Sequence, residues 1–440
     1  MTSPIPPLRQ TQTETLLSTV AQGECCAIYG LSNTGKSPLL RALPAPVHSA
    51  RYEQLSGQPG LLVYVDCNRV VELTPPGFYE IVLRSLLESL EDNRTPDSLH
   101  QHLHDQHTHI TTAASNFQAS LAFNHAIAQC CHELGRDLIL LLDEFDEVYA
   151  ALEPRALLNL RALKDKFQRE LGYITATARP LAEARPQGED EFAELFALHS
   201  MQLGLLNEVD SQQVIASMGG LTLPAATRAT ILRLAAGHFG LLTALTQAAL
   251  RNPEPGHLAQ DPSARAECLK IWNQLRPPEQ AALTALVTEA DGGLNPPMRA
   301  QLGSLGLLVG EQAIFSELFT TFVRRQNARP QLTTGIVVDE DAGEVWVDGV
   351  KVTVLTELEY KLMGLLAQRR DRLTTKDMIV EAVWGNDYFD SMDDARIEKL
   401  VSRLRAKIEP DPAHPRYLLT QRGRGYKLSS QPVYSKDDET

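Results

Sequence analysis

The octapeptide GLSNTGKS at residues 30–37 constrains this chain more tightly than any other stretch, because an apolar run from Cys25 to Tyr29 leads straight into it and a helical pattern follows. It obeys G-x-x-x-x-G-K-[ST], and a strand before and a helix after are the context in which that pattern is a phosphate-binding loop. Gly30 and Gly35 let the backbone curl, so that successive N–H groups through Asn33 and Thr34 face an anion and the helix N-terminus adds positive potential. Lys36 then reaches the β- and γ-phosphates, and the Ser37 hydroxyl is placed to hold Mg²⁺. Pro38 falls early in the helix, where its missing N–H does least harm.

The run LILLLDEFDEV (138–148) is the natural partner. A buried strand delivers Asp143 to the metal's coordination sphere, and the adjacent Glu144 can orient or deprotonate the attacking water. Two adjacent acids point to hydrolysis as well as binding. Around them apolar strands (LLVYVDC, LILLL, YITATA) alternate with helical patterns at 77–90, 119–134 and 157–171, which implies a parallel sheet covered on both faces. After Pro186 the pattern turns helical, with a long apolar stripe from Ile231 to Leu250, and NPEPG at 252–256 reads as a boundary. Short helices and LGSLGLLVGEQAIFSELF (302–319) suggest a winged helix. A polar linker, QNARPQLTTG, then leads to strands, three helical patterns and the hairpin YLLTQRGRGYKLS (417–429). The expected division is a nucleotide-binding domain at 1–185, a helical lid at 186–265, a winged helix at 266–328, a second one at 329–430 and a disordered acidic tail at 431–440.

Composition excludes several classes. The longest aliphatic run is far too short to span a bilayer, and the N-terminus lacks a secretory pattern, so a cytoplasmic protein is expected. Six cysteines, four of them in the adjacent pairs Cys25-Cys26 and Cys130-Cys131, read as buried thiols. A net charge of −14 argues against a whole surface built for nucleic acid, yet residues 394–427 carry nine basic and four acidic side chains. On a helix Arg396, Lys399 and Arg403 share one face while Ile397, Leu400, Val401 and Leu404 share the other, so one face packs and the other meets phosphates and base edges. Ser402 and Arg405 join the candidate contacts. Gly423 and Gly425 allow a tight turn that projects Arg422 and Arg424 towards a minor groove. The segment HQHLHDQHTH (100–109) reads as a solvated loop between helices rather than a metal site, because no carboxylate or cysteine cluster accompanies it.

Residues 15–325 resemble the AAA+/STAND superfamily of P-loop ATPases. YITATAR (173–179) is similar to the STAND sensor strand, which implies that Arg179 senses the γ-phosphate. LGLLNEVDSQQ (203–213) resembles the entry into the helical lid, and AAGHFGLL (235–242) resembles the motif whose proline lies near adenine, implying His238 and Phe239 as base neighbours, with Phe239 standing in the proline's place. The winged helix near 272–325 is similar to those that close such ATPases, and is read as structural. Residues 343–428 resemble the OmpR-type winged-helix effector domain: ARIEKLVSRLRAKIEP (395–410) is similar to its recognition helix and YLLTQRGRGYKL to its wing. The resemblance implies a slowly hydrolysing, ATP-switched transcription regulator that binds double-stranded DNA and self-associates, with a small-molecule or protein trigger left open. The alternatives are a DNA-remodelling or loader ATPase and a ligand-triggered defence ATPase.

Overall fold

The computed structural model describes residues 8–90, 96–185, 191–288, 294–310, 313–326, 335–339, 344–348, 350–352, 355–384, 394–421 and 423–430. The chain folds as two compact units, one of Met1–Ala259, Lys270–Leu286 and Asp291–Phe319, the other of Gln260–Leu269, Val287–Ala290 and Thr320–Thr440. The acidic tail lies outside the described residues, as does most of the polar linker before Gly335. Among the described residues no helix is long and apolar enough to cross a membrane.

In the first unit β1 (Cys26–Tyr29), β2 (Gly60–Asp66), β3 (Asp137–Asp143), β4 (Leu171–Thr177) and β5 (Ser200–Gln202) form one sheet in the order β2-β3-β4-β1-β5. Every neighbouring pair is parallel, as the alternation of strands and helices requires. The register sets Asp66 opposite Asp143 and Tyr29 opposite Thr177, so the carboxyl ends of four strands gather along one edge of the sheet. That edge is where ligands of open α/β sheets sit.

β3 is an unbroken apolar run because both its faces are covered. Leu138, Leu140 and Leu142 pack with Phe78, Tyr79, Phe123 and Tyr173 on one side, and Ile139 and Leu141 pack with Leu16, Leu17, Leu39 and Leu40 on the other. Complete burial of one such side chain contributes about 1.5–3 kcal/mol, and these two layers fix the height at which Asp143 emerges.

Two expectations about helices are corrected. The histidine-rich stretch lies in the α-helix Asp97–Thr111, whose Leu99, Leu103 and Ile110 are buried along one stripe. The interleaved polar residues hid that stripe; His107 Nε2 lies 3.1 Å from Glu80 Oε1 on the neighbouring helix. The apolar stripe from Ile231 to Leu250 is two helices, Ala225–Ala235 and Phe239–Arg251, because Ala236 and Gly237 both take positive φ and end the first one.

The second unit contains an antiparallel sheet of Ile336–Asp339, Glu344–Val347 and Val350–Lys351, helices Glu357–Gln368, Lys376–Trp384 and Asp394–Ile408, and the hairpin Leu418–Gln421 with Gly425–Leu428. Thr356 and Glu359 form a capping box at the start of the first of these helices. The hairpin is pinned to the chain at Thr374, whose backbone exchanges hydrogen bonds with Tyr426 at 2.8 and 2.9 Å. Gly425 beside it has φ 131°, and a Cβ there would lie 2.2 Å from the Thr374 carbonyl oxygen. Gly425→Ala should therefore destabilise this unit by roughly 2 kcal/mol or more. Gly423→Ala, at φ 69° and with open space around it, should cost about 1 kcal/mol. Urea unfolding of the two variants checks this, and equal losses would contradict the role given to the Thr374 contact.

Candidate functional site

The loop after β1 is held from both sides, since the Gly30 N–H donates to Thr177 O at 3.1 Å and the Leu203 N–H donates to Tyr29 O at 2.7 Å. Asn33 at φ 58° and Gly35 at φ 97° turn the backbone so that the helix Lys36–Ala42 can start, with Gly35 as its N-cap. Lys36 is buried, and its Nζ donates to Gly30 O at 2.6 Å and Leu31 O at 3.1 Å. Burial pulls its pKa down, opposed by the nearby charges of Glu144, Asp146 and Asp143. Thr34 is buried with its hydroxyl on Leu31 O, at 2.9 Å.

The acids at the end of β3 face this loop. Glu144 has φ 50°, a left-handed turn that costs a non-glycine residue about 1–2 kcal/mol. Its Oε1 lies 3.5 Å from Ser37 Oγ, and burial raises its pKa against the pull of Lys36. Asp143 is fully buried. Its Oδ2 accepts from the Tyr64 hydroxyl at 2.6 Å, and its Oδ1 is without a hydrogen-bond partner. An orphaned carboxylate oxygen next in the chain to a residue that touches the Ser37 hydroxyl fits a small hard cation, so Ser37 and Asp143 are the residues able to hold Mg²⁺. Asp146 was not singled out from the sequence; its Oδ1 accepts the Ala178 N–H at 2.8 Å and ties the end of β4 to this edge.

The helix Phe239–Arg251 meets the loop at its start. Gly240 N–H donates to Asn33 O at 2.8 Å, and the Phe239 ring lies about 3.5 Å from where a Gly35 Cβ would be. His238 is buried, caps this helix through Nδ1 from Leu241 N–H at 3.3 Å, and leaves Nε2 without a partner. Burial, with Lys36 and Arg9 nearby, pushes its pKa down to about 3, so the ring is neutral. Arg9 completes this corner: its buried guanidinium donates to Thr34 O at 2.7 Å and Gly204 O at 2.6 Å. Burial lowers its pKa to about 10, with Asp210 opposing. A single arginine ahead of a polar helix carries no sequence signal of such a role.

Arg179 lies at the same edge but is engaged elsewhere. Its guanidinium donates to Glu279 at 2.9 and 2.7 Å, a bidentate pair in which Glu279 is fully buried, and to Gln274 O at 3.2 Å. Glu279 also accepts from the Arg276 N–H at 2.7 Å and Gln301 Nε2 at 2.6 Å. Burial alone would raise its pKa; these donors hold it below the ordinary carboxylate value. Gln274 in turn accepts the Ser32 N–H at 2.6 Å through Oε1, and its Nε2 contacts Ser32 Oγ. Gln274 and Glu279 thus join the loop of residues 30–37 to the arginine that follows β4.

In the second unit Arg396, Lys399, Ser402 and Arg403 are exposed along the helix Asp394–Ile408, while Ile397, Leu400, Val401, Leu404 and Ile408 are buried. Arg424 is exposed at the hairpin turn, and Arg422 lies outside the described residues. Arg405 is placed differently: its guanidinium donates to Leu418 O at 3.0 and 2.6 Å and to Thr420 Oγ1 at 2.7 Å, clipping the helix to the hairpin. Among the described residues no group of three or more His, Cys, Asp and Glu side chains is gathered to hold a metal ion, the histidine-rich helix included.

The family model described as "Transcriptional regulatory protein, C terminal" matches residues 351–428. The uncharacterised transcriptional regulatory protein YrkP of Bacillus subtilis is 37% identical over 93 residues, which is 21% of this chain and 39% of that protein. The chain therefore spans well under half the length of that relative. The Walker-type ATPase paby2304 of Pyrococcus abyssi superposes with a TM-score of 0.47 at 17% identity, over 72% of this chain and 95% of its own. The ADP form of the Aeropyrum pernix ORC2 protein gives 0.44 at 11%, over 74% and 87%. Residues 351–428 are thus an OmpR-type winged helix of the transcriptional regulatory C-terminal family, on a chain whose larger unit is a parallel sheet with the loop of residues 30–37 at its carboxyl edge.

Proposed function

We propose that this chain is a cytoplasmic, nucleotide-switched DNA-binding regulator of the STAND type, in which ATP and Mg²⁺ at residues 30–37 decide whether its C-terminal winged helices act singly or together on duplex DNA. The observation that carries this reading is the bidentate Arg179–Glu279 pair, which occupies the arginine at the strand end nearest the phosphate-binding loop. With ATP, the guanidinium exchanges Glu279 for γ-phosphate oxygens, a bidentate acceptor of higher charge. ADP has no such oxygens and leaves the pair in place. A ligand shifts an equilibrium only through differential affinity for its two states, and this contact exists in one nucleotide state alone. Release of Glu279 then allows self-association, and two or more winged helices on one DNA gain avidity without any new contact. Glu144, with its raised pKa, acts on the attacking water, and slow hydrolysis resets the switch.

Three measurements test this. Lys36→Ala should abolish nucleotide binding, because it removes the point charge that offsets the phosphates; unchanged affinity by calorimetry would remove the site. Glu279→Gln keeps the shape of the latch but drops its charge, so self-association followed by light scattering should need roughly tenfold less ATP, corresponding to about 1.4 kcal/mol. Equal masses with ATP and with ADP, in parent and variant alike and with DNA present, would leave a constitutive DNA-binding protein instead. For the DNA end, the full chain should bind duplex with an affinity that falls steeply as salt rises. Arg403→Ala, an exposed position, should weaken that binding by about 1–3 kcal/mol without moving the melting temperature. A folded parent that ignores duplex DNA at low salt would rule out this reading of the helix.

A further inference from the structure

We infer that Tyr64 is a positioning residue for the metal-binding carboxylate of Asp143, fixed in that role by Arg41. The inference rests on the reading of the loop as an ATP and Mg²⁺ site. Tyr64 is on β2, and its hydroxyl donates to Asp143 Oδ2 at 2.6 Å. Arg41, on the helix that begins at Lys36, donates from Nε to the same hydroxyl oxygen at 2.9 Å, with its guanidinium carbon 5.3 Å from the centre of the Tyr64 ring. Proton roles along this chain follow from the groups themselves. An arginine can only donate, so the tyrosine hydrogen points away from Arg41 and at Asp143. Arg41 thereby sets the direction of the hydroxyl, and the hydroxyl ties down one carboxylate oxygen.

The consequence falls on the other oxygen. With Oδ2 held, the carboxylate of Asp143 cannot rotate freely, and Oδ1, buried and without a hydrogen-bond partner, keeps one fixed direction. Mg²⁺ demands near-ideal octahedral geometry and tolerates misdirected ligands poorly. Groups that hydrogen-bond metal ligands usually contribute tenfold to a hundredfold in metal affinity or activity. The same relay joins the helix that carries Ser37 to the strand that carries Asp143, so the two metal-binding residues keep their spacing.

Tyr64→Phe removes one oxygen and retains the ring. In the full-length protein, binding of a fluorescent ATP analogue is measured without divalent cation and across a Mg²⁺ titration. The expected result is parent-like affinity without Mg²⁺ and a Mg²⁺ concentration for half-maximal tightening raised about tenfold. Arg41→Met should shift the midpoint in the same direction by less, since it frees the hydroxyl without deleting it. A Tyr64→Phe midpoint equal to the parent's overturns the inference while leaving the ATP site intact. Loss of affinity already present without Mg²⁺ also overturns it, by showing that Tyr64 supports the loop and not the metal. A parent that binds no analogue under either condition fells the ATP reading and this inference together.

Discussion

A buried ammonium sets the terms for the whole carboxyl edge of the sheet. Lys36 is 3% exposed and gives its hydrogen bonds to two backbone carbonyls, Gly30 O and Leu31 O, of the loop it belongs to. Taking an ion out of water costs several kcal/mol unless charges of opposite sign stand close. Glu144, Asp146 and Asp143 supply that charge. The acids are themselves short of water: burial, the first cause in each case, raises the pKa values of Glu144 and Asp146. Three carboxylates around one lysine make an edge that gains from a bound cation and from an anion in contact with Lys36, which is what a metal–phosphate pair brings.

How much of this was legible depended on whether partners are neighbours in the chain. Residues 30–37 and Asp143-Glu144 are contiguous motifs whose chemistry is spelled out in order, and the apolar strands around them follow from a parallel sheet's burial on both faces. Glu279, Gln274, Tyr64 and Arg9 belong to the same edge, yet each reaches it through tertiary contacts 25 to 242 residues away in sequence. No local pattern marks them. Arg405 is an instructive middle case. It lies nine residues beyond Arg396, which on a helix of 3.6 residues per turn is half a turn round, nearest to Val401 and Ile408 among the buried side chains. Periodicity taken one step further separates it from Arg396, Lys399 and Arg403, and the fold sets it against the hairpin, where its three hydrogen bonds lie. The leucines of the histidine-rich helix were legible in the same way but were masked by the polar residues between them.

The acidic side chains among residues 394–427 each have a partner other than the exposed arginine and lysine side chains of the same stretch. Of the four acids at 394–427, Glu409 is buried and accepts the N–H groups of Arg416, Tyr417 and Leu418 at 2.8, 2.9 and 2.6 Å. Asp394 and Glu398 lie 2.5 and 3.7 Å from Lys376, and Asp411 holds His414 at 2.8 Å. Glu359, nearly buried, takes Lys407 at 2.6 Å. The acids are engaged in capping and pairing, whereas Arg396, Lys399, Arg403 and Arg424 are exposed. A protein of net charge −14 can in this way present a local cationic face to a polyanion.

Burial also decides which ion pair is fit to act as a latch. Arg51–Glu14 and Arg69–Glu88 are well exposed on both partners, and pairs of that kind contribute about 0–1 kcal/mol, too little to hold a domain against thermal motion. Arg179 and Glu279 are 13% and 0% exposed, and removing one partner of such a pair leaves an uncompensated buried charge, a cost of about 3–5 kcal/mol. Reversing an equilibrium from 1:99 to 99:1 takes about 5.5 kcal/mol of differential binding. For the switch proposed above the two magnitudes are of the same order: a pair of this strength would stay closed without a competitor, yet lie within reach of one polyanionic ligand. Gln301 and the Arg276 N–H also donate to Glu279, so in the proposed switch the carboxylate keeps two donors without Arg179. A carboxylate that keeps other donors is not stranded when its ion-pair partner leaves, and that is the condition under which a buried ion pair can be a reversible contact rather than a permanent one.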